Sequence, residues 1–289
     1  MTKVRLGFHV SISGGISNSV DNAKEIGCTA FQIFSRNPRG WTAKPLDEKD
    51  VELFKGKLAS SGIDYNSVMV HMPYLPNLSG SDGENYTKSI DTLEAEMRRC
   101  SELGVPHLVI HLGSHRGQDA SAGISQLVKA IRTAGAKAEK AGNQHVTVLL
   151  ENSAGQKNWV GSTFEELRSI LDKLGDNSKE FGVCLDTCHL FAAGNDLRTK
   201  KGVETTLDKF ENVVGLKTLG AIHLNDSKKG LNSHLDRHQH IGLGYIGRVG
   251  LAAFINHEKI RKLPIIMETP KERHADEKNL KTVLSMVRH

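Results

Sequence analysis

The chain has 289 residues, 38% hydrophobic and 25% charged, close to the globular average, which excludes a largely disordered polymer. No apolar run approaches the roughly 18 residues that a membrane-crossing helix requires, so no membrane partner is expected. Lysine and arginine (38) outnumber aspartate and glutamate (33), and the net +5 permits a polyanionic partner without establishing one.

The opening Met1-Thr2-Lys3-Val4-Arg5 runs straight into an apolar segment, Val4–Val10, and reads as a first strand without a secretory leader. Apolar residues three and four apart predict a helix over Ser17–Ile26, followed by a strand at Ala30–Phe34. Asp47 is placed to cap a helix over Asp47–Ser60. A strand at Ser67–His71, a helix over Tyr86–Leu103 closed by Gly104, a strand at His107–Leu112 and a helix over Ser121–Ala141 closed by Gly142 follow. The strand Thr147–Glu151 precedes a helix that begins on the capping box Thr163-Phe-Glu-Glu166 and runs to Leu174. Strands at Phe181–Asp186, Gly220–Leu224 and Leu263–Glu268, with helices over Thr205–Leu216, Val249–Glu258 and Glu272–Val287, complete the chain. The strands are apolar without strict alternation, as expected when both faces are covered. Eight strands alternating with helices predict parallel pairing through right-handed crossovers. This is the pattern of an α/β fold, one (β/α)8 TIM barrel over residues 1–289, with a doubly wound sheet as the alternative.

The strand ends carry the chemistry. His71, His111, Glu151, Asp186, His223 and Glu268 each fall at or beside the C-terminal end of a predicted strand, 35 to 45 residues apart. One βα unit takes about 30 residues or more, so each residue belongs to a different unit. In a barrel these strand ends converge on one mouth, where active sites are built. His189 follows Asp186 by three residues as the strand turns into its loop, and Asp236-Arg-His238 puts a carboxylate and an imidazole on one side of an extended segment. Five imidazoles and four carboxylates exceed the needs of one zinc ion, which takes about four ligands. Mixed imidazole and carboxylate suits zinc, with manganese or iron as substitutes. Two or three ions, neighbours being roughly 3.5–4 Å apart, stabilise the attacking and leaving oxygens of phosphoryl transfer.

Sequence blocks in order along the chain then resemble the endonuclease IV family of zinc-dependent apurinic/apyrimidinic endonucleases. They include Gly7-Phe-His-Val-Ser11, Gln32-Ile-Phe-Ser-Arg-Asn-Pro-Arg-Gly-Trp41, Val70-His-Met-Pro-Tyr74, Ile110-His-Leu-Gly-Ser114 and Leu150-Glu-Asn152. Val183-Cys-Leu-Asp-Thr-Cys-His189, Ile222-His-Leu-Asn-Asp-Ser227, Asp236-Arg-His-Gln-His-Ile-Gly-Leu-Gly244 and Met267-Glu-Thr-Pro270 follow. The resemblance implies three zinc ions per chain, with manganese as an alternative at one position. His71, His111 and Glu151 would hold one ion, Glu151 would bridge to a second held by Asp186, His223 and Glu268, and His189, Asp236 and His238 would hold the third. It implies hydrolysis of duplex DNA 5′ to an abasic site by a bridging hydroxide, leaving a 3′-hydroxyl and a 5′-deoxyribose phosphate, with 3′-end cleaning as a side activity. Glu151 is the implied catalytic residue. Arg36 and Arg39, and Tyr74 and Leu75, are the implied DNA contacts. His9 ends the first strand at the mouth, placed either to support a ligand or to contact DNA, and Lys228 and Lys229 after the seventh strand are placed to meet phosphates. Pro38 and Gly40 flank Arg39 where some members carry glutamines, so the arginine carries over and its neighbours do not.

Other features read more plainly. The four cysteines are too few for a disulfide scaffold and indicate a reducing intracellular setting, nucleoid-associated by substrate. Cys184 and Cys188 flank Asp186 and read as small buried hydrophobes. Gly242-Leu-Gly-Tyr-Ile-Gly247 matches the dinucleotide fingerprint literally but follows no strand, so no nucleotide cofactor is expected and the segment reads as a loop supporting Asp236 and His238. A monomer is the default. The competing functions are a sugar isomerase or epimerase of the xylose-isomerase-like barrel type, which shares the Glu151, Asp186, His223, Glu268 quartet, and a catalytically silent DNA-binding barrel.

Overall fold

The computed structural model describes residues 4–143, 145–175 and 180–288. Met1–Lys3, which precede the first strand, lie outside them. In chain order the elements are β1 (Arg5–His9), α1 (Asn18–Ile26), β2 (Ala30–Phe34), α2 (Glu48–Ser61), β3 (Val68–His71), α3 (Glu84–Leu103), β4 (His107–His111), α4 (Ala120–Lys140), β5 (Thr147–Glu151) and α5 (Phe164–Leu174). Then come β6 (Phe181–Asp186), α6 (Thr187–Ala192), α7 (Lys200–Val213), β7 (Leu219–His223), β8 (Asp226–Ser227), β9 (His238–Gln239), α8 (Gly247–Ile255), β10 (Pro264–Met267) and α9 (Ala275–Leu284). Eight strands close in the order β1-β10-β7-β6-β5-β4-β3-β2, all parallel, so the doubly wound alternative is excluded. Among the described residues no helix is long and apolar enough to cross a membrane.

The predicted helix starts hold where a side chain caps them. Asp47 accepts from the Asp50 amide, and Thr163 and Glu166 form the reciprocal capping box of α5. Three segments depart from expectation. α7 begins at Lys200, not Thr205, because Thr199 caps it by accepting from the Gly202 amide. Gly202 in the first turn hid the helical pattern; a Cβ there would sit 2.2 Å from the Asp196 carbonyl oxygen. α6 is a helix where a loop was expected, and all six of its residues are buried, so it shows no amphipathic period. The third is a two-stranded antiparallel ladder, β8 on β9, whose partners lie too far apart in sequence for a local turn signal.

Two apolar regions result. One lies between the strands and the helices. The other fills the barrel: Ala30, Met69, Val109, Leu149, Cys184, Ala221 and Ile266, one from each of seven strands, all fully buried. Strand side chains alternate with period two, so the residue two positions later on each strand points the same way, one layer nearer the C-terminal mouth. Those residues are Gln32, His71, His111, Glu151, Asp186, His223 and Glu268. The apolar plug is therefore a floor, and the polar layer stands on it.

Candidate metal centre at the barrel mouth

Strand register brings the polar layer together. His111 is paired with Glu151 and Asp186 with His223 across adjacent strands. Four groups of donor atoms form among the described residues, each with its members within 4.8 Å of one another: His71, His111 and Glu151; Glu151, Asp186, His223 and Glu268; His189, Asp236 and His238; and Asp186, Cys188 and His238, which links the second and third and adds a thiol. The nine residues that the sequence pointed to lie in the first three of these groups; Cys188, read from sequence as a small buried hydrophobe, lies in the fourth. Glu151 joins the first two groups. Its Oε2 lies 3.2 Å from both His71 Nε2 and His111 Nε2, while its Oε1 lies 3.3 Å from His223 Nδ1. Asp236 Oδ1 stands 3.3 Å from His189 Nε2 and 3.2 Å from His238 Nε2.

The imidazoles are held from behind. His71 Nδ1 donates to the Met72 carbonyl (2.7 Å), His189 Nδ1 to the Asn152 carbonyl (2.8 Å) and His238 Nδ1 to the Glu268 carbonyl (2.9 Å). Each bond places the ring proton on Nδ1 and leaves the Nε2 lone pair facing the cluster. His189 reaches its place because Asp186 caps α6, its Oδ1 accepting from the His189 amide at 2.8 Å. The Nε2 atoms of His189 and His238 are buried without a hydrogen-bond partner. Buried nitrogens are rarely left so, and a ligated cation satisfies both. The donor set thus fits divalent metal ions.

Burial pushes the Glu151 carboxyl up, but His111 and His223 outweigh it and hold it well below the usual carboxylate range. Burial lowers His189 and His238, yet facing Asp186 and Asp236 raise both, His238 to about 9. Without an ion, protons on imidazole balance the carboxylates; a metal would displace them.

Several supporting residues were missed. Gln32, wholly buried on β2, donates from Nε2 to Glu268 Oε1 (2.7 Å) and His9 Nδ1 (2.9 Å), and its Oε1 accepts from His223 Nε2 (2.9 Å). Asn225 Nδ2 donates to Asp186 Oδ2 (2.6 Å), and Asn225 Oδ1 accepts from the Glu268 amide (2.8 Å). Lys271 lines the cavity of about 410 Å³ above the cluster, and the half-exposed Trp159 ring packs edge-on 6.2 Å from His111. Asp226 receives backbone amides of Gly242, Gly244 and Ile246 at 3.0 Å. The glycine-rich segment therefore cradles an internal carboxylate where a dinucleotide fold would cradle a phosphate. Cys184 sits in the barrel floor with its thiol pushed up to about 11 by burial, an inert hydrophobe as expected.

The expected DNA contacts divide. Arg39, Tyr74 and Leu75 are exposed on two rim loops, joined where the Tyr74 amide donates to the Pro38 carbonyl (3.2 Å). Lys228 and Lys229 are exposed as well. Arg36 is a correction: it is buried, with Nε 2.9 Å from Glu96 Oε1, and points into the fold instead of toward a ligand. A loop arginine three residues from Arg39 looks identical in sequence, and only the packing of α3 tells them apart. His9 lines the cavity beside Glu268, tied to it through Gln32.

Residues 20–289 match the family described as xylose isomerase-like TIM barrel. A protein of Cenarchaeum symbiosum (strain A) named probable endonuclease 4 is 53% identical over 275 residues, covering 95% of this chain and 96% of that one. The crystal structure of endonuclease IV from Thermus thermophilus superposes with a TM-score of 0.86 at 34% identity, covering 98% of both chains. A D-tagatose 3-epimerase-like protein superposes at 0.72 with 19% identity over 98% of both chains, a likeness of fold alone.

Proposed function

This chain belongs to the endonuclease IV family of nucleases, and from that premise we propose that it incises duplex DNA 5′ to abasic sites, leaving a 3′-hydroxyl and a 5′-deoxyribose phosphate. The convergence of nine imidazole and carboxylate donors at one mouth, in overlapping groups of which two share Glu151, carries this reading. His71, His111 and Glu151 would hold one ion. Glu151, Asp186, His223 and Glu268 would hold a second, and His189, Asp236 and His238 a third. Zinc matches this donor set, with manganese the alternative at one position. Three divalent ions would exceed the four carboxylates by two positive charges, which favours a phosphodiester over a neutral sugar. When bound, such ions lower the pKa of water toward neutrality and neutralise charge on phosphoryl oxygens.

The chain's own residues supply orientation and proton handling. Glu151 faces two ligand groups through different oxygens, and its carboxylate is the central acceptor for a proton leaving the attacking water. Arg39, Tyr74 and Leu75 enter the duplex at the lesion, where a nucleotide without a base costs least to extrude. Lys271, Lys228 and Lys229 meet the phosphates on either side. His9 helps keep Glu268 in place, since both bond the Gln32 amide. The same site would trim blocked 3′ ends as a side reaction. A sugar epimerase needs only the Glu151, Asp186, His223, Glu268 quartet, which leaves His71, His111, His189, Asp236 and His238 without a task.

Elemental analysis paired with a nicking assay on a duplex containing one abasic analogue tests the reading. Three ions per chain and incision on the 5′ side are expected; one ion and no nicking would overturn it.

A further inference from the structure

Outside the metal centre, α3 carries a second buried ionic cluster. Glu96 is fully buried, and Arg36 and Arg99 are each 8% exposed. Glu96 and Arg99 sit three apart, on one face of α3. Glu96 Oε1 lies 2.9 Å from Arg36 Nε, and Glu96 Oε2 accepts from Ser35 Oγ at 2.6 Å. Arg99 Nε donates to the same Ser35 Oγ (2.7 Å), and its terminal nitrogens donate to the carbonyls of Ser35 and Lys44, the latter at 3.0 Å. Arg36 reaches the Trp41 carbonyl at 3.4 Å.

These bonds grip one segment at its two ends. Residues 35–47, between β2 and α2, form no helix or strand, so their backbone has few partners of its own. The carbonyls of Ser35, Trp41 and Lys44 are taken instead by two guanidinium groups, that of Arg36 paired directly with Glu96 and that of Arg99 joined to it through the Ser35 hydroxyl. Arg39 stands at the exposed crest between these anchors, where its amide donates to Asn37 Oδ1 at 3.0 Å. The crest also accepts the Tyr74 amide at the Pro38 carbonyl, so the Tyr74–Leu75 loop leans on the same frame. A buried carboxylate with two guanidiniums is an expensive way to fill space, and apolar residues of similar volume often stabilise a fold as well or better. Planar guanidiniums, however, bond several carbonyls at fixed angles, which apolar packing cannot do.

We propose that Glu96 and Arg99 are positioning residues for damage recognition: they preorganise the Arg39 crest so that DNA binding does not have to order it. This rests on the reading that Arg39 meets abasic DNA. A preformed loop avoids an ordering cost at binding, so the effect falls on affinity and not on the chemical step.

The test is a double-mutant cycle on the metal-loaded enzyme, using Glu96→Gln, Arg99→Lys and Arg39→Ala. Glu96→Gln keeps the shape and removes the charge. Arg99→Lys keeps a buried cation and loses the fork, and it remains available if Glu96→Gln fails to fold. Each is expected to raise KM for an abasic duplex about tenfold, with kcat and metal content near those of the parent. In an Arg39→Ala background the same substitutions are expected to change KM less than twofold, because the residue they position is gone. Hydrogen exchange should rise at amides 36–44 without rising across the barrel. Full additivity with Arg39→Ala, or an equal loss in kcat, would overturn the inference. An Arg39→Ala variant that binds abasic DNA like the parent would instead overturn the reading beneath it.

Discussion

Gln32 Oε1 accepts from His223 Nε2 at 2.9 Å, which turns His223 so that Nδ1 faces Glu151 at 3.3 Å and Glu268 at 3.2 Å. His223 therefore presents the opposite nitrogen from His71, His111 and His238, whose Nε2 atoms face the carboxylates; His189 meets Asp236 through Nε2 and Glu151 through Nδ1, both at 3.3 Å. One neutral amide, fully buried and also bonded to Glu268, sets this difference.

Replacing Gln32 by Ala is expected to free both His223 and Glu268 and to weaken metal binding about 10- to 100-fold, the usual effect of removing a ligand's outer partner. Chelator competition on the purified variant measures this directly. Retention of all metal at parental chelator concentrations would show that the ligands orient themselves.

Glu151→Gln keeps volume and one acceptor oxygen but removes the charge that two ligand groups share. The fold should survive, since the apolar floor beneath it is untouched, and nicking of an abasic duplex should fall by at least about 10³-fold. Near-parental turnover with parental metal content would remove Glu151 from the centre of the chemistry.

The metal-free protein should lose stability as pH rises. His238 is raised to about 9 from its ordinary 6.5: burial opposes the proton, and Asp186 and Asp236 more than restore it. A folded pKa above the unfolded one stabilises fully below about 6.5, and that contribution is lost as pH climbs through about 9. The melting temperature of chelator-treated protein is thus expected to fall between these values. Metal affinity should run the other way, strengthening with pH as His238 gives up its proton. A metal-free melting curve that rises over the same range would contradict the assignment.

Asp226 clamps the ends of the segment that carries Asp236 and His238. Its side chain gathers the amides of Gly242, Gly244 and Ile246 while its backbone belongs to β8, paired with β9. A Cβ on Gly244 would come within 2.4 Å of both Asp226 Oδ1 and the Ser227 carbonyl oxygen. Gly244→Ala and Asp226→Ala are each expected to destabilise by about 1–3 kcal/mol, through overpacking and unpaired buried amides respectively. Both should lose metal first from the His189, Asp236, His238 group. Thermal melts and metal stoichiometry together check this, and uniform loss of all metal would show that the hairpin does not act on that group alone. Dialysis against NAD should detect no binding to the parent, because those amides are already taken.

Much of this protein is written locally. Each barrel strand is a short apolar run, and the chemistry-bearing residue stands at the same end of seven of them, so spacing alone exposed His71, His111, Glu151, Asp186, His223 and Glu268. The motifs added His189, Asp236 and His238. Gln32 escaped because an amide inside an apolar strand has no ligand signature, although its position matches that of His71 on the next strand. α6 escaped because a wholly buried helix has no polar face to reveal its period. Arg36 and Arg39 share a loop, a charge and a residue type, yet one is held by Glu96 and the other stands exposed. Ser35 and Glu96, 61 residues apart, meet only after β2 and α3 pack. Hydrophobic period and ligand spacing act within one βα unit and are readable there. The partners that orient a ligand, or turn an arginine inward, come from other units and exist only once the barrel has closed.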